Sequence, residues 1–425
     1  MKLPEEFERH TRHLLGPERY ALLCHGLEEE PPVSVRLNPF KVDKTRVRLP
    51  GKVADVPWCP LGAYLSSRPN FTFDPLLHAG LYYVQEASSM FLHHVVRQLV
   101  TTPVRMLDLC AAPGGKSTCA MSALPAGSLL FSNEPMRQRA QILNENILKF
   151  GHPDIVVTNN FAIDYRQSGL QFDIILADVP CSGEGMFRKD AGARDEWSLE
   201  NVEKCRRLQR DIITDIWPAL KPGGLLVYST CTFNAHENEE NADWIAHELG
   251  AEFVEIPTEK AWHITGSLTG GQPVCRFLPG TSRGEGLFMA VLRKHGTPDM
   301  PTERSIHALQ SKAMKHLKVM SHGPLAGIDK GNSHLPDHSE ALSIRTDMSS
   351  YPQADIDYTQ AIAYLRKEAL VLPPQTARGI VLLTFRGQPI GFVKNIGNRA
   401  NNLYPAEWKI KSTHIPDYET ILRFT

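Results

Sequence analysis

The sequence carries almost no net charge: Lys and Arg total 46 against 47 Asp and Glu in 425 residues, a formal −1 with histidine neutral. That balance gives no chain-wide argument for binding nucleic acid or a membrane surface. Long apolar runs are also missing. None approaches the roughly 20 residues that a membrane-spanning helix needs, and Met1-Lys2-Leu3-Pro4-Glu5-Glu6 does not lead into the apolar core of a signal peptide. A cytoplasmic address with no membrane partner is expected. Cysteine is sparse, 8 residues at positions 24, 59, 110, 119, 181, 205, 231 and 275, with no Cys-x-x-Cys pair. Neither a disulfide framework nor a zinc ribbon is indicated, and no metal site is expected. No internal repeat is found.

What remains is ordinary globular composition, 42% hydrophobic and 22% charged, which excludes disordered, collagen-like and coiled-coil classes. Dividing the length by about 150 suggests two or three domains. Residues 1–100 mix charged helical stretches with Pro-rich punctuation and read as a small α+β element. From residue 101 to 296, short apolar runs alternate with helical periods, at 104–109, 128–132, 155–158, 172–177, 225–229, 253–256 and 287–292. Seven strands with interleaved helices predict an α/β, doubly wound sheet. One helix carries Val202, Cys205, Leu208, Ile212, Ile213, Ile216 and Leu220 near one face, and Lys221-Pro222-Gly223-Gly224 is expected to end it. Residues 297–349, rich in His, Ser, Gly and Pro, read as a linker. A small domain follows over 350–425, where apolar runs at 380–385 and 389–393 flank Arg386-Gly387-Gln388 as a hairpin.

The chemistry-bearing residues lie where the apolar runs end. Leu107-Asp108-Leu109-Cys110-Ala111-Ala112-Pro113-Gly114-Gly115-Lys116-Ser117 runs from a strand through a Gly-rich turn into a helix. Small residues there admit a ligand to the backbone, and helix N-terminal amides favour an anionic or polar group. Gly115-Lys116-Ser117 invites a P-loop reading, but the glycine required five residues before Gly115 is Cys110, so a nucleotide hydrolase is disfavoured. Phe131-Ser132-Asn133-Glu134-Pro135 puts an acid at the end of the second strand, where such sheets commonly bind a ribose. Alone, the turn can be a plain strand-to-helix connection and the acid a solvated cap; together they argue for a nucleoside-containing cofactor. Ala177-Asp178-Val179-Pro180-Cys181-Ser182-Gly183-Glu184-Gly185 and Tyr228-Ser229-Thr230-Cys231-Thr232 then place two cysteines at strand ends on the same sheet edge. A single cysteine there is usually a small buried hydrophobe. A pair beside Asp178 and the cofactor turn points to a reactive site.

These segments, with Tyr83-Val84-Gln85-Glu86-Ala87-Ser88-Ser89-Met90 and residues 276–294, resemble the RNA cytosine-5 methyltransferases of the NOL1/NOP2/Sun family, and within it the bacterial RsmF-type ribosomal RNA enzymes. The matching stretches span roughly residues 30–295. The resemblance implies a class I methyltransferase (Rossmann-like) fold using S-adenosyl-L-methionine. It implies that Cys231 is the nucleophile, that Cys181 assists product release, and that Asp178 hydrogen-bonds the base at N3 or N4. Lys116 is expected to lower a thiol pKa or to contact base or cofactor. The chemistry is coherent, because C5 of cytosine takes a methyl group only after a thiolate adds to C6 and gives C5 carbanion character. The resemblance also carries Cys110, Ala111, Ala112, Pro113, Gly114, Gly115 and Lys116 onto the methionine and ribose side of the cofactor, Glu134 onto the ribose hydroxyls and Asp178 onto the rim. The family's adenine-contacting Asp after the third strand is absent from Thr158-Asn159-Asn160-Phe161-Ala162-Ile163-Asp164, which leaves Asn160 or Asp164 for that contact.

Near-zero net charge conceals one basic stretch. Residues 376–411 hold Arg378, Arg386, Lys394, Arg399, Lys409 and Lys411 against the single acid Glu407. Phe385, Phe392, Tyr404 and Trp408 are interleaved with them, which suits phosphate neutralisation plus base stacking, although Phe385 and Phe392 on strands are expected in the core. RsmF-like proteins carry a C-terminal RNA-binding module of PUA-like fold, and the resemblance implies that residues 350–425 correspond to it. Arg36, Asn38, Arg188 and Lys189 are further expected RNA contacts. The partner is then ribosomal RNA or the small ribosomal subunit, met by a monomer. The alternatives are the same chemistry on transfer RNA and a catalytically silent RNA-binding assembly factor, against which the intact Cys181, Cys231, Asp178 and Lys116 speak.

Overall fold

The computed structural model describes residues 1–297, 303–309, 311–330, 333–412, 414–418 and 420–425. Its N-terminal part is a helical stretch, Glu5–Glu28, broken into two helices at Gly16 (φ 74°), followed by β1 (Val33–Leu37), β2 (Val47–Arg48), β3 (Lys52–Val56), β4 (Cys59–Leu65) and β5 (Tyr82–Val84). Four of these strands form an antiparallel sheet in the order β3-β4-β1-β5. This is the α+β element expected from the sequence.

Six of the apolar runs become β6 (Arg105–Asp108), β7 (Leu129–Asn133), β8 (Ile155–Thr158), β9 (Phe172–Asp178), β10 (Leu220–Thr230) and β13 (Leu287–Lys294), whereas the run expected at 253–256 meets only the last residue of β11 (Ala251–Phe253). Two strands not expected from the sequence, β12 (Cys275–Phe277) and β14 (Val319–His322), complete a nine-stranded sheet ordered β11-β13-β10-β9-β6-β7-β8-β14, with β12 against β13. The five strands β6 to β10 are mutually parallel, while β13 runs antiparallel to β10. From β6 the chain winds outward through β7 and β8, then returns to β9 and β10 on the other side. The crevice at that reversal, above the carboxyl ends of β6 and β9, is where such sheets bind ligands.

Side chains alternate across the strands, so the sheet buries both faces. Met106, Leu130, Ile174 and Val227 point into one core with the helices Phe91–Leu99 and Arg137–Phe150. Leu107, Phe131, Ile175 and Leu226 point into the other with Leu199–Ile216 and Glu239–Glu248. The helix Leu199–Ile216 stops earlier than expected, at the 3-10 turn Trp217–Ala219, because Pro218 has no N–H to continue the ladder. Lys221-Pro222-Gly223-Gly224 instead forms an irregular start to β10, where the register with β9 shifts between Leu220 and Leu225.

The linker expected over 297–349 is corrected by its contacts. Val319–His322 pairs with β8 as β14, β15 (Ile328–Lys330) pairs with β16 (Ser333–Leu335), and the helix His338–Leu342 buries Ala341 and Leu342. Elements of three to five residues are too short for periodicity to reveal. Residues 298–302, 310, 331 and 332 of this stretch lie outside the described residues.

The C-terminal module orders β17 (Gln353–Asp355), β18 (Gly379–Phe385), β19 (Gln388–Asn395) and β20 (Ala400–Asn402) in one sheet. The expected hairpin is present with a tighter turn. Arg386 (φ 53°) and Gly387 (φ 73°) both take left-handed backbone, and Phe385 faces Gln388. Phe385 and Phe392 are buried, as expected for strand residues, and Tyr404 is buried and Trp408 half-buried as well, so these two join the core and are not open stacking platforms. The six basic residues around them are exposed. Leu365, Leu383, Val393 and Tyr404 share one core with Val35 and Tyr82 of the N-terminal sheet and Leu76 of the short helix Pro75–His78, and β21 (Arg423–Phe424) returns to pair with β2.

Three of the expected RNA contacts are internal ties. Arg36 is buried and donates to Gln85 Oε1 (2.7 Å), Ser122 Oγ (2.9 Å) and Thr118 Oγ1 (2.6 Å), binding β1 to the helix Gly115–Met121. Asn38 donates to the carbonyls of Gly80 and Phe150, both at 2.9 Å. Arg188 reaches the Gly26 and Gly284 carbonyls and ion-pairs with Glu285 at 2.7 Å. Buried polar groups must find partners, and these have found them in protein. Lys189 remains exposed, paired with Glu285. Arg36→Ala is therefore expected to cost about 2–4 kcal/mol of stability by stranding buried acceptors, seen as a lower thermal midpoint. The salt dependence of RNA binding should stay unchanged, which a phosphate contact at Arg36 would not allow.

Candidate active site

Strand β6 ends in Asp108, and the chain then turns through a cis Ala112-Pro113 bond and Gly114 at φ 114° before the helix starts at Gly115. A side chain at Gly115 would begin 3.3 Å from the Tyr83 ring and 3.7 Å from the Gln85 amide, so the glycine lets the N-terminal sheet close over the turn. Asn146 Nδ2 fixes the turn by donating to the Pro113 carbonyl (2.7 Å). Asp108 is fully buried and accepts from Ser117 Oγ (2.6 Å) through one oxygen, while Oδ1 has no partner. Burial pushes its carboxyl up to about 7, with the Asp178 charge adding to the rise. The Cys110 thiol is raised above its ordinary range by burial and by Asp108, Asp178 and Glu134.

Glu134, at the end of β7, is buried and accepts from Met136 N (3.0 Å) through Oε1. Its Oε2 accepts no hydrogen bond and has only the Arg139 guanidinium, at 3.5 Å. A buried carboxylate oxygen left open beside a Gly turn fits the vicinal hydroxyls of a ribose. Asn160 does not stand ready for a base ring: its side chain accepts from Lys318 N (2.9 Å) and donates to Lys318 O (3.3 Å), pinning β14 to the sheet. Asp164 is engaged as well, accepting from Phe161 N (2.8 Å) to cap the next helix. The exposed apolar side chains just beyond β7 and β8 are Met136 and Phe161, which sequence reasoning did not single out.

The strand-end loops after β9 and β10 bring the two cysteines together, with Cys181 Sγ 3.3 Å from Cys231 Sγ. Contact with Cys231 and burial push the Cys181 thiol well up, so Cys181 holds its proton. Asp178 lies on the adjoining end of β9 and is held at both oxygens, by Ser229 Oγ (2.7 Å) and Lys116 Nζ (2.9 Å). Burial alone would lower Lys116, but Asp178, Cys231 and Asp108 outweigh it and hold the ammonium above its ordinary value. A fixed cation, a carboxylate and a thiol pair thus sit at one sheet edge.

Two buried glutamates that the sequence reading passed over join these loops. Glu184 accepts from Phe233 N (2.6 Å), Asn234 N (2.9 Å), Asn234 Nδ2 (3.0 Å) and Trp197 Nε1 (3.0 Å). Glu237 accepts from Ser182 N (3.0 Å), Gln209 Nε2 (2.7 Å) and Asn234 Nδ2 (2.9 Å). Gly185 N donates to the Cys231 carbonyl at 2.8 Å, an approach that a Cβ would block at 2.2 Å. Below them the fully buried Arg276–Glu239 pair (2.6 Å) also donates to the Phe233 carbonyl. Glu184 follows Cys181 by three residues and Glu237 follows Cys231 by six, so proximity in sequence was the available signal.

Residues 100–293 match the family model of the 16S rRNA methyltransferase RsmB/F, residues 3–87 that of the N-terminal domain of 16S rRNA methyltransferase RsmF, and residues 352–410 that of the methyltransferase RsmF PUA domain. The ribosomal RNA small subunit methyltransferase F of Citrobacter koseri is 31% identical over 88% of this chain and 89% of its own. The protein of the same name from Escherichia coli O9:H4 is 30% identical over the same shares. The crystal structure of NSun6 from Pyrococcus horikoshii superimposes with a TM-score of 0.59 at 20% identity, covering 69% of this chain and 99% of that one, which shows a common fold. With a methyltransferase sheet, an N-terminal α+β element and a PUA module in one chain, the protein belongs to the RsmF family of methyltransferases.

Proposed function

We propose that the protein methylates C5 of a cytosine in 16S ribosomal RNA, using S-adenosyl-L-methionine and a covalent Cys231–C6 adduct. The observation that carries this reading is the pair of thiols 3.3 Å apart beside the Lys116–Asp178 pair. The substrate class rests on the family, whose models and relatives are named for small-subunit ribosomal RNA. The turn from Cys110 to Lys116 and the open oxygen of Glu134 would hold the cofactor, with Asp178 at its rim. When bound, S-adenosyl-L-methionine supplies an electrophilic methyl group.

The protein's own groups account for the remaining steps. Cys231 attacks C6 as a thiolate, and the ring's electrons move toward C5. Asp178, held by Ser229 and Lys116, accepts a hydrogen bond from the amino group of the base and fixes the ring over the thiol. Once C5 carries the methyl group, the C5–H bond breaks and its proton passes to the Cys181 sulfur. The electron pair closes C5=C6, the C6–S bond breaks, and Cys231 leaves as thiolate. In the free protein Cys231 is the largest cause of Cys181's raised pKa. Adduct formation turns Cys231 into an uncharged thioether, so Cys181 gives its own proton to solvent more readily and meets the C5–H bond as a thiolate. The target base must leave its stack to reach this crevice, at a cost of a few kcal/mol unless it is already unpaired.

The exposed Arg378, Arg386, Lys394, Arg399, Lys409 and Lys411 would hold RNA by its phosphates. With the core aromatics unavailable, binding there is expected to be electrostatic. Replacing Arg386, Lys394 and Arg399 together by Gln should weaken RNA binding and lower the slope of log K against log salt by about 2–3, measured by filter binding.

Tritium transfer from labelled S-adenosyl-L-methionine to ribosomal and transfer RNA, followed by bisulfite sequencing, tests the reaction and its target. Label in 16S ribosomal RNA at a bisulfite-resistant cytosine supports the reading, whereas label in transfer RNA alone, or in neither RNA, overturns it. Cys231→Ala should reduce incorporation to background. Cys181→Ala should instead accumulate a protein–RNA adduct that survives a denaturing gel; a variant that turns over without adduct would remove Cys181 from the release step.

A further inference from the structure

We infer that Glu237, together with Gln209, is the positioning residue for the release half of the reaction, setting Cys181 against Cys231 without touching substrate. The inference rests on the two-thiol reading above and concerns a residue to which that reading gives no role.

Cys181 is bracketed. On one side Gln209 Nε2 donates to the Pro180 carbonyl (2.8 Å), and on the other Ser182 N donates to Glu237 Oε2 (3.0 Å). The same Gln209 Nε2 also donates to Glu237 Oε2 (2.7 Å), which closes the bracket into one unit. That unit stands on the sheet. Tyr228 OH, three residues before Cys231 on β10, donates to the Glu237 carbonyl (2.6 Å) and lies 3.0 Å from Gln209 Oε1, to which Asn241 Nδ2 donates (2.7 Å). Gln209, Tyr228, Glu237 and Asn241 are all buried.

No ion pair offsets the Glu237 carboxylate among the described residues. Burial and the neighbouring Glu184 push it up to about 7, so a buried acid is kept here at some cost to stability. The Cys231 loop has its own support, from Glu184 to the Phe233 and Asn234 amides and from Gly185 N to the Cys231 carbonyl. Disturbing Glu237 should therefore displace Cys181 more than Cys231, and slow release more than methyl transfer.

Glu237→Gln keeps the shape of the side chain but offers an amide donor where only acceptors fit. With S-adenosyl-L-methionine and ribosomal RNA, single-turnover labelling should stay within about threefold of the wild type. Release of methylated RNA should fall at least tenfold, and a covalent adduct should build up on a denaturing gel. Glu237→Asp should restore part of the release rate, and Gln209→Ala, which leaves the carboxylate in place, should show a milder build-up. Wild-type release by Glu237→Gln, or equal loss of labelling and release without adduct in both Glu237→Gln and Gln209→Ala, overturns the inference. Cys181→Ala in parallel separates the two failures. Adduct in Cys181→Ala with none in the Glu237 and Gln209 variants sinks this inference alone, whereas no adduct in Cys181→Ala sinks the two-thiol reading and this inference with it.

Discussion

Two loops on neighbouring parallel strands each carry a thiol, and their sulfurs stand 3.3 Å apart because the loops are tied to each other. Short strand-end loops expose backbone amides that need acceptors. Here Glu184 crosses from the first loop to the amides of the second, and Glu237 crosses back to the amide beside Cys181. Each acid satisfies donors that water would otherwise serve, so the loops are fixed by protein groups. The sheet alone would not set a separation between sulfurs, since it fixes only where each strand ends.

Charge is distributed to the same end. Asp108, Glu134, Asp178, Glu184 and Glu237 crowd the carboxyl edge of the sheet, and the ammonium within that crowd is Lys116, fixed on Asp178. Asp108 and Glu237 are both pushed up to about 7. These acids favour cationic and hydrogen-bond-donating ligand groups in the crevice, such as a sulfonium, ribose hydroxyls and the amino group of a base. Phosphates are disfavoured there, in keeping with Cys110 standing where a phosphate-binding loop requires glycine. The basic residues that suit a phosphate backbone are placed on the C-terminal module instead.

The central strands and the thiol pair could be read from the sequence because both have local signals. Apolar runs marked six of the seven expected strands, with the seventh displaced onto Ala251–Phe253, and Pro180-Cys181 with Thr230-Cys231 announced the juxtaposed thiols. What could not be read depends on partners distant in sequence. Arg36 looks like a surface cation until Gln85, Thr118 and Ser122 close around it. Asn160 looks like a ligand-reading amide until Lys318, 158 residues later, takes both its ends. Tyr404 looks like a stacking surface in a basic stretch, but a small four-stranded module needs its aromatics for a core. In each case burial, which composition does not reveal, decided between a functional and a structural use of the same residue.

The core shared by the N-terminal sheet and the C-terminal module has a mechanical consequence. Val35 and Tyr82 pack with Leu383 and Tyr404 on one side of that sheet. From the same strands Arg36 holds the helix Gly115–Met121, and Tyr83 and Gln85 lie against Gly115 of the cofactor turn. The basic module is thus braced through β1 and β5 onto the turn that carries Lys116, and β21 closes the brace from the C-terminus. The stretch 297–349 adds to that brace, with β14 on the sheet edge and Ala341 and Leu342 buried.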